Sequence, residues 1–270
     1  MSTPATATAV NTRTIDISAT PAVPMSRLIS VEIRKSFDTR AGRWLTFSIL
    51  GITVIATALG ALFFEESAQD YVSMLSMAGG IMTSFLPILM ILLITSEWSQ
   101  RTGLATFTLE PRRSRVVVAK FLAGIVLSIA VLLLGASIAA VGTLASPVNG
   151  GSADWNLTWD PIPSFFLGTL IAVFVGFAFA MLLRNSPAAI VGYFVYSLIV
   201  PTVAGILAYI IKGLEDVIPW IEFNTAQAPL YTGDFTLSGQ EWAQLLVSGT
   251  IWLVLPFFVG LRLLLRAEVK

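Results

Sequence analysis

Long apolar runs alternate along this chain with short polar stretches, and the spacing of the two sets its outline. Crossing a hydrocarbon core of about 30 Å as a helix takes about 20 apolar residues. Six stretches of about that length carry no charge: 44–64, 74–95, 121–145, 165–183, 187–211 and 242–261. Ahead of them Met25, Ile29, Ile33 and Phe37 recur every four residues, while Arg27, Arg34 and Asp38 fall on the opposite side. That pattern predicts an amphipathic helix over 25–43. No soluble domain adjoins it to cover the stripe, so the expected position is the membrane interface, apolar side in the acyl boundary. Residues 1–24 are rich in Ala, Thr and Pro without a continuous apolar segment, and read as a disordered tail, not a signal peptide. The outline is an all-α integral membrane protein: tail, interfacial helix, a six-span domain over 44–265, and a short tail at 266–270.

Composition supports this class. The chain is 56% hydrophobic and 12% charged, with a mean hydropathy of +0.82, whereas soluble domains carry about 25% charged residues. It has no cysteine and no histidine, which removes disulfides, thiolate metal sites and the usual proton shuttle. No metal or other cofactor is expected in this chain, and its formal net charge of zero gives no reason to expect nucleic acid as a partner.

The charges are unevenly placed, and that gives an orientation. With the N-terminus cytoplasmic, six basic residues precede the first span, five lie between the second and third, Arg184 sits in the next inner turn, and Arg262, Arg266 and Lys270 follow the last span. Only Lys212 falls outside. Basic residues concentrate on the cytoplasmic side of membrane proteins, so both termini should be cytoplasmic.

Between the second and third spans, 96–120 holds Arg101, Arg112, Arg113, Arg115 and Lys120 in a segment where Leu104, Phe107 and Leu109 alternate with polar residues. It is too charged for the membrane and too apolar for a plain solvated connector, which points to insertion into a soluble partner. On the other side, 212–241 mixes Leu214, Val217, Ile218, Trp220 and Ile221 with acidic residues and predicts short amphipathic helices broken at Pro219 and at a turn near Gly233. Within the spans, small residues four apart, Ala56 with Gly60 and Gly135 with Ala139, suit helix packing. Ser186 followed by Pro187 reads as N-cap and first helical residue of the fifth span. Pro201 should bend or break that span.

The absences are informative. No Asp, Glu, Lys or Arg interrupts the six apolar stretches, although ion-coupled carriers and intramembrane proteases need such groups at depth. A nucleotide-binding loop needs glycines followed by Lys, and the dipeptide Gly-Lys does not occur. Work done on a solute must therefore enter from another polypeptide.

Four segments resemble the permease subunits of bacterial type-2 ABC exporters, particularly the actinobacterial multidrug and antibiotic-resistance type. RLISVEIRKSFDTRAGRW (27–44) is similar to the connecting helix before the first span, and EWSQRTGLATFTLEPRRSRVVVAK (97–120) to the loop carrying the coupling helix. LLRNSPAAIVG (182–192) resembles the inner turn, and GLRLLLRAEVK (260–270) the basic end. The resemblance implies a homodimer of permeases in the bacterial plasma membrane, clasped by two cytosolic ATPase subunits that bind ATP and magnesium. It also implies short extracellular helices between spans five and six, and export of a drug, peptide antibiotic or lipid-like substrate. Carried over by position, Glu97, Arg101, Thr102, Phe107, Leu109, Pro111, Arg112 and Arg113 become candidates for the ATPase interface. Glu97 and Arg101 would be its polar anchors, Phe107 and Leu109 its apolar ones. Arg27, Glu32, Arg34, Lys35 and Phe37 would belong to the connecting helix. Arg112, Arg113 and Arg115 have a plainer use in fixing orientation or binding anionic lipid headgroups. A non-transporting scaffold or sensor that docks a regulatory partner through 96–120 is the alternative from another class.

Overall fold

The computed structural model describes residues 23–65, 69–99, 106, 108, 110, 112–150, 153–155, 161–231 and 237–266. The expected tails, the turn at Gly233 and most of the 100–111 segment lie outside them. Among the described residues the architecture is all-helical, and six helices are long and apolar enough to cross a membrane. The chain is a multi-pass membrane protein.

In order, α1 is Met25–Asp38, α2 Arg40–Phe63, α3 Tyr71–Ser99 and α4 Arg113–Ala145. Then follow α5 (Pro161–Leu183), α6 (Ser186–Ile210), the short α7 (Ile218–Ile221) and α8 (Phe223–Gln227), and α9 (Gly239–Arg266). The spans begin earlier or end later than their charge-free stretches, most clearly in α3 and α4. The extra turns hold Glu97, Arg113, Arg115 and Lys120, and the ion pairs and hydrogen bonds described below let those charges stay helical.

Helices α3 and α5 form the centre, flanked by α2 and α4 on one side and α6 and α9 on the other. Packing inverts the pattern of a soluble protein. On α2 the buried positions are Gly42, Thr46, Ile49, Thr53, Thr57, Gly60 and Ala61, while Trp44, Phe47, Ile55 and Phe63 point outward. In lipid nothing drives large side chains inward, so small residues at the interface win by letting helices approach. The buried threonines satisfy their hydroxyls on their own helix: Thr53 donates to Ile49 O at 2.8 Å and Thr57 to Thr53 O at 2.9 Å. Two glycines mark crossings where another span's backbone comes close. A Cβ on Gly176 would stand 2.9 Å from the carbonyl oxygen of Pro87, and one on Gly260 would stand 2.4 Å from the backbone carbonyl carbon of Met181.

The start of α6 differs from expectation. Asn185, not Ser186, is the N-cap: its side chain accepts from the Ala188 N–H at 3.0 Å. Ser186 lies inside the helix, and its hydroxyl meets those of Thr95 and Ser99 on α3, each at 2.7 Å. Arg184, with φ of 50°, makes the left-handed turn that joins α5 to α6.

Pro201 does not simply bend α6. A π-helical segment, Val195–Ile199, precedes it, with the Val200 N–H reaching back to Val195 O. A second, Thr250–Val254, precedes Pro256 in α9, where the Leu255 N–H reaches Thr250 O. Proline has no N–H for the carbonyls four or five residues back, so each widened turn frees backbone acceptors in mid-span. Helices α7 and α8 dock there. The Asn224 amide nitrogen donates to Tyr196 O at 3.4 Å, Trp252 Nε1 donates to Ile221 O at 2.7 Å, and the Tyr196 and Trp252 rings lie 5.1 Å apart. Pro219 falls in the first turn of α7 and starts that helix where the sequence suggested a break.

Candidate functional site

The strongest concentration of chemistry lies where α1 meets the ends of α3 and α4. Glu32, Glu97 and Lys120 are 4%, 3% and 3% exposed, a depth at which ionised groups persist only when paired. The Lys120 ammonium donates to Glu32 Oε2 at 2.6 Å and to Leu93 O at 3.2 Å, and lies 3.5 Å from Glu97 Oε1. Lys35, half-buried, donates to Glu32 Oε1 at 2.7 Å and lies 3.6 Å from Glu97 Oε1. Two carboxylates and two ammonium groups thus form a closed, formally neutral cluster that joins three helices.

Local sequence accounts for each contribution. Glu32 and Lys35 stand three apart on α1 and so share a face. Glu97 follows the apolar run of α3, and Lys120 precedes that of α4, so both reach the same level of the bundle. The pairing also fixes how α1 sits. Ile29 and Ile33 pack against the core, but the most buried residue of α1 is Glu32, and Phe37 is exposed. The covered side is therefore rotated from the apolar stripe toward the ion pairs, and α1 is docked on the bundle. Arg27 and Arg34 face outward.

A second set of contacts holds the start of α4. Glu110, buried, accepts from Arg115 Nη1 at 2.6 Å and from the Arg112 N–H at 3.3 Å. Arg115 also donates to Val23 O, just ahead of α1, and Arg113 donates to Leu264 O near the end of α9 at 2.9 Å. Arg112 is exposed.

The candidates named from the sequence therefore divide. Glu32, Lys35 and Glu97 come together, but as an internal clamp with no carboxylate left on the surface. Arg113 is tied to α9, and Arg112 remains open. Arg101, Thr102, Phe107, Leu109 and Pro111 lie outside the described residues. Of the loop between, Thr106 and Thr108 are helical and the Glu110 N–H reaches Thr106 O at 3.0 Å. Lys120 and Glu110 were missed as site residues. The available signal was a lone Lys between Ala119 and Phe121, one turn into an apolar helix, with unpaired carboxylates at the same level of two other helices.

No protein-family model matches the chain, and a search of the curated proteins finds no match either.

Proposed function

We propose that this chain is the membrane-spanning subunit of an ATP-driven exporter in the bacterial plasma membrane. Both termini face the cytoplasm, and two separate ATPase subunits engage the segment between α3 and α4. The cargo is hydrophobic or amphipathic. A second copy of the chain completes the pathway, and α7 and α8 lie toward the extracellular side.

The observation that carries this reading is the buried charge cluster. The 100–111 segment is held at one end by α3 and at the other by α4, and Lys120 ties the roots of both to α1 through Glu97 and Glu32. A push on that segment would move three helices together instead of deforming a loose loop. Such a joint suits a part that receives mechanical work, and a chain without a nucleotide-binding loop needs one. The exposed outer half of α6, Val200–Ile210, which buries no residue within the chain, is in keeping with a second copy alongside.

Co-purification tests the reading. A tagged chain, expressed with an ATPase encoded beside it, should bring that subunit down and stimulate substrate-dependent ATP hydrolysis. Truncating an apolar interface anchor costs at least about 1–2 kcal/mol, whereas a rim charge alters mainly the association rate. Phe107→Ala should therefore reduce stimulated hydrolysis by about 5- to 30-fold, and Arg112→Ala much less. If no ATPase is ever recovered and Phe107→Ala leaves transport unchanged, the exporter reading fails. Recovery of a partner without any substrate-dependent turnover would favour the scaffold.

A further inference from the structure

A cavity of about 320 Å³ lies among α3, α5, α6 and α8, at the level of the π-helical segment of α6. Ligand sites begin at about this size, and they combine apolar walls with a few placed polar groups. Here the walls include the rings of Tyr193, Phe194 and Tyr196, and the polar groups include Ser197, Asn224 and Gln227. No basic residue lines it.

The charge behind this wall decides what it can hold. Glu222, 2% exposed, caps α8: its carboxylate accepts from the Asn224 N–H at 3.0 Å, the Thr225 N–H at 2.5 Å and the Asn224 side-chain amide at 2.8 Å. Among the described residues no Lys or Arg forms an ion pair with it, unlike Glu32, Glu97 and Glu110. Three N–H donors fill its oxygens, and none of them brings a full positive charge. Asn224 carries that polarity into the cavity. Its amide nitrogen is committed to Glu222 and to Tyr196 O, so what the side chain retains for a ligand is its carbonyl oxygen. The Tyr193 hydroxyl likewise gives its proton to Thr83 O at 2.9 Å. At Asn224 and Tyr193 the cavity therefore presents acceptors, beside aromatic side chains, with the Glu222 carboxylate hydrogen-bonded to the Asn224 side chain.

We propose that this cavity binds a hydrophobic organic cation. Acceptor oxygens and ring faces attract positive charge, and a buried carboxylate that lacks a cationic neighbour favours it further in a low-dielectric setting. An anion meets repulsion from the carboxylate and from the acceptor oxygens at Asn224. The proposal names the cargo class of the exporter reading and rests on it for its biological meaning, but binding to the chain can be measured with no ATPase present.

The test uses the purified full chain in an uncharged detergent and two ions of nearly equal size and opposite sign, tetraphenylphosphonium and tetraphenylborate, titrated by calorimetry. Saturable tetraphenylphosphonium binding, tighter than tetraphenylborate by at least about tenfold, is expected of a site backed by one buried charge without a cationic partner. Glu222→Gln keeps the side chain's size and should shrink that preference to about twofold or less. Ala172→Phe, which fills the cavity from α5, should abolish tetraphenylphosphonium binding while the thermal unfolding transition persists. Equal or tighter binding of tetraphenylborate by the unsubstituted chain overturns the proposal. So does an unchanged preference in folded Glu222→Gln, or unchanged binding in folded Ala172→Phe. Should Glu222→Gln fail to fold, the comparison of the two ions on the unsubstituted chain and the Ala172→Phe result still decide. A chain that shows the preference yet never recruits an ATPase would sink the exporter reading and leave the cation site standing.

Discussion

Lys120→Met isolates the cluster at the base of the bundle. The substitution keeps the length and apolar stem of the side chain and removes one ammonium group that is 3% exposed. It deletes the 2.6 Å bond to Glu32, the 3.2 Å bond to Leu93 O and the 3.5 Å approach to Glu97. Two buried carboxylates are left with Lys35 alone, and its side chain is 35% exposed. Breaking a buried ion pair from one side costs about 3–5 kcal/mol, because the remaining charge is stranded. At about 2–4 °C per kcal/mol for a chain of this size, the melting temperature in detergent should fall by about 10 °C. Replacing both partners is a different matter, since apolar residues of similar volume often substitute for a buried pair at little cost. Glu32→Leu with Lys120→Met should therefore be less damaging than either single change, with a coupling of about 2–3 kcal/mol in the double-mutant cycle. The assay is thermal unfolding followed by tryptophan fluorescence on all four proteins. A single-mutant shift under about 2 °C, or additive losses in the double mutant, would refute the stranded-charge reasoning.

Three further changes probe other joints. Gly260→Leu places side-chain carbon on the Met181 backbone, which cannot yield as a flexible side chain would. It should lower stability by more than about 1–3 kcal/mol, read as loss of the monodisperse peak on heating in detergent. Asn185→Ala removes the cap of α6 and should cost about 1 kcal/mol, and Asn185→Asp should restore most of it in the same assay. Ser238→Ala removes the hydroxyl oxygen that accepts from the Glu241 N–H at 3.3 Å at the start of α9, and leaves the 2.7 Å bond from the Ser238 N–H to Glu241 Oε2 in place. It should cost about 1 kcal/mol and speed amide exchange over the first turn of α9, leaving α5 unchanged.

The membrane spans were legible because the bilayer imposes a length and an apolar content that a linear reading can count. Boundaries ran long where charge was paired: α4 begins at Arg113 and not near Phe121, since Arg113, Arg115 and Lys120 each find an acceptor that sequence order hides. Glu32 and Lys120 are 88 positions apart, and nothing in local spacing links them. The N-cap was misplaced by one residue because Asn185 and Ser186 are both good caps. Ser186's hydroxyl was taken by Thr95 and Ser99, contacts that exist only once α3 and α6 pack. Pro201 in α6 was read as a bend or break, but where a ladder widens into a π turn depends on what meets the freed carbonyls. In α6 that role falls to Asn224, which donates to Tyr196 O.

The central claim is that the segment between α3 and α4 faces the cytoplasm and takes its driving force from there. The chain contains no cysteine, so a single introduced thiol reports its own side of the membrane. Arg112→Cys should resist a membrane-impermeant maleimide in intact cells and react after permeabilisation, while Val148→Cys, just beyond the opposite end of α4, should react in intact cells. Labelling of Arg112→Cys from outside intact cells contradicts the account.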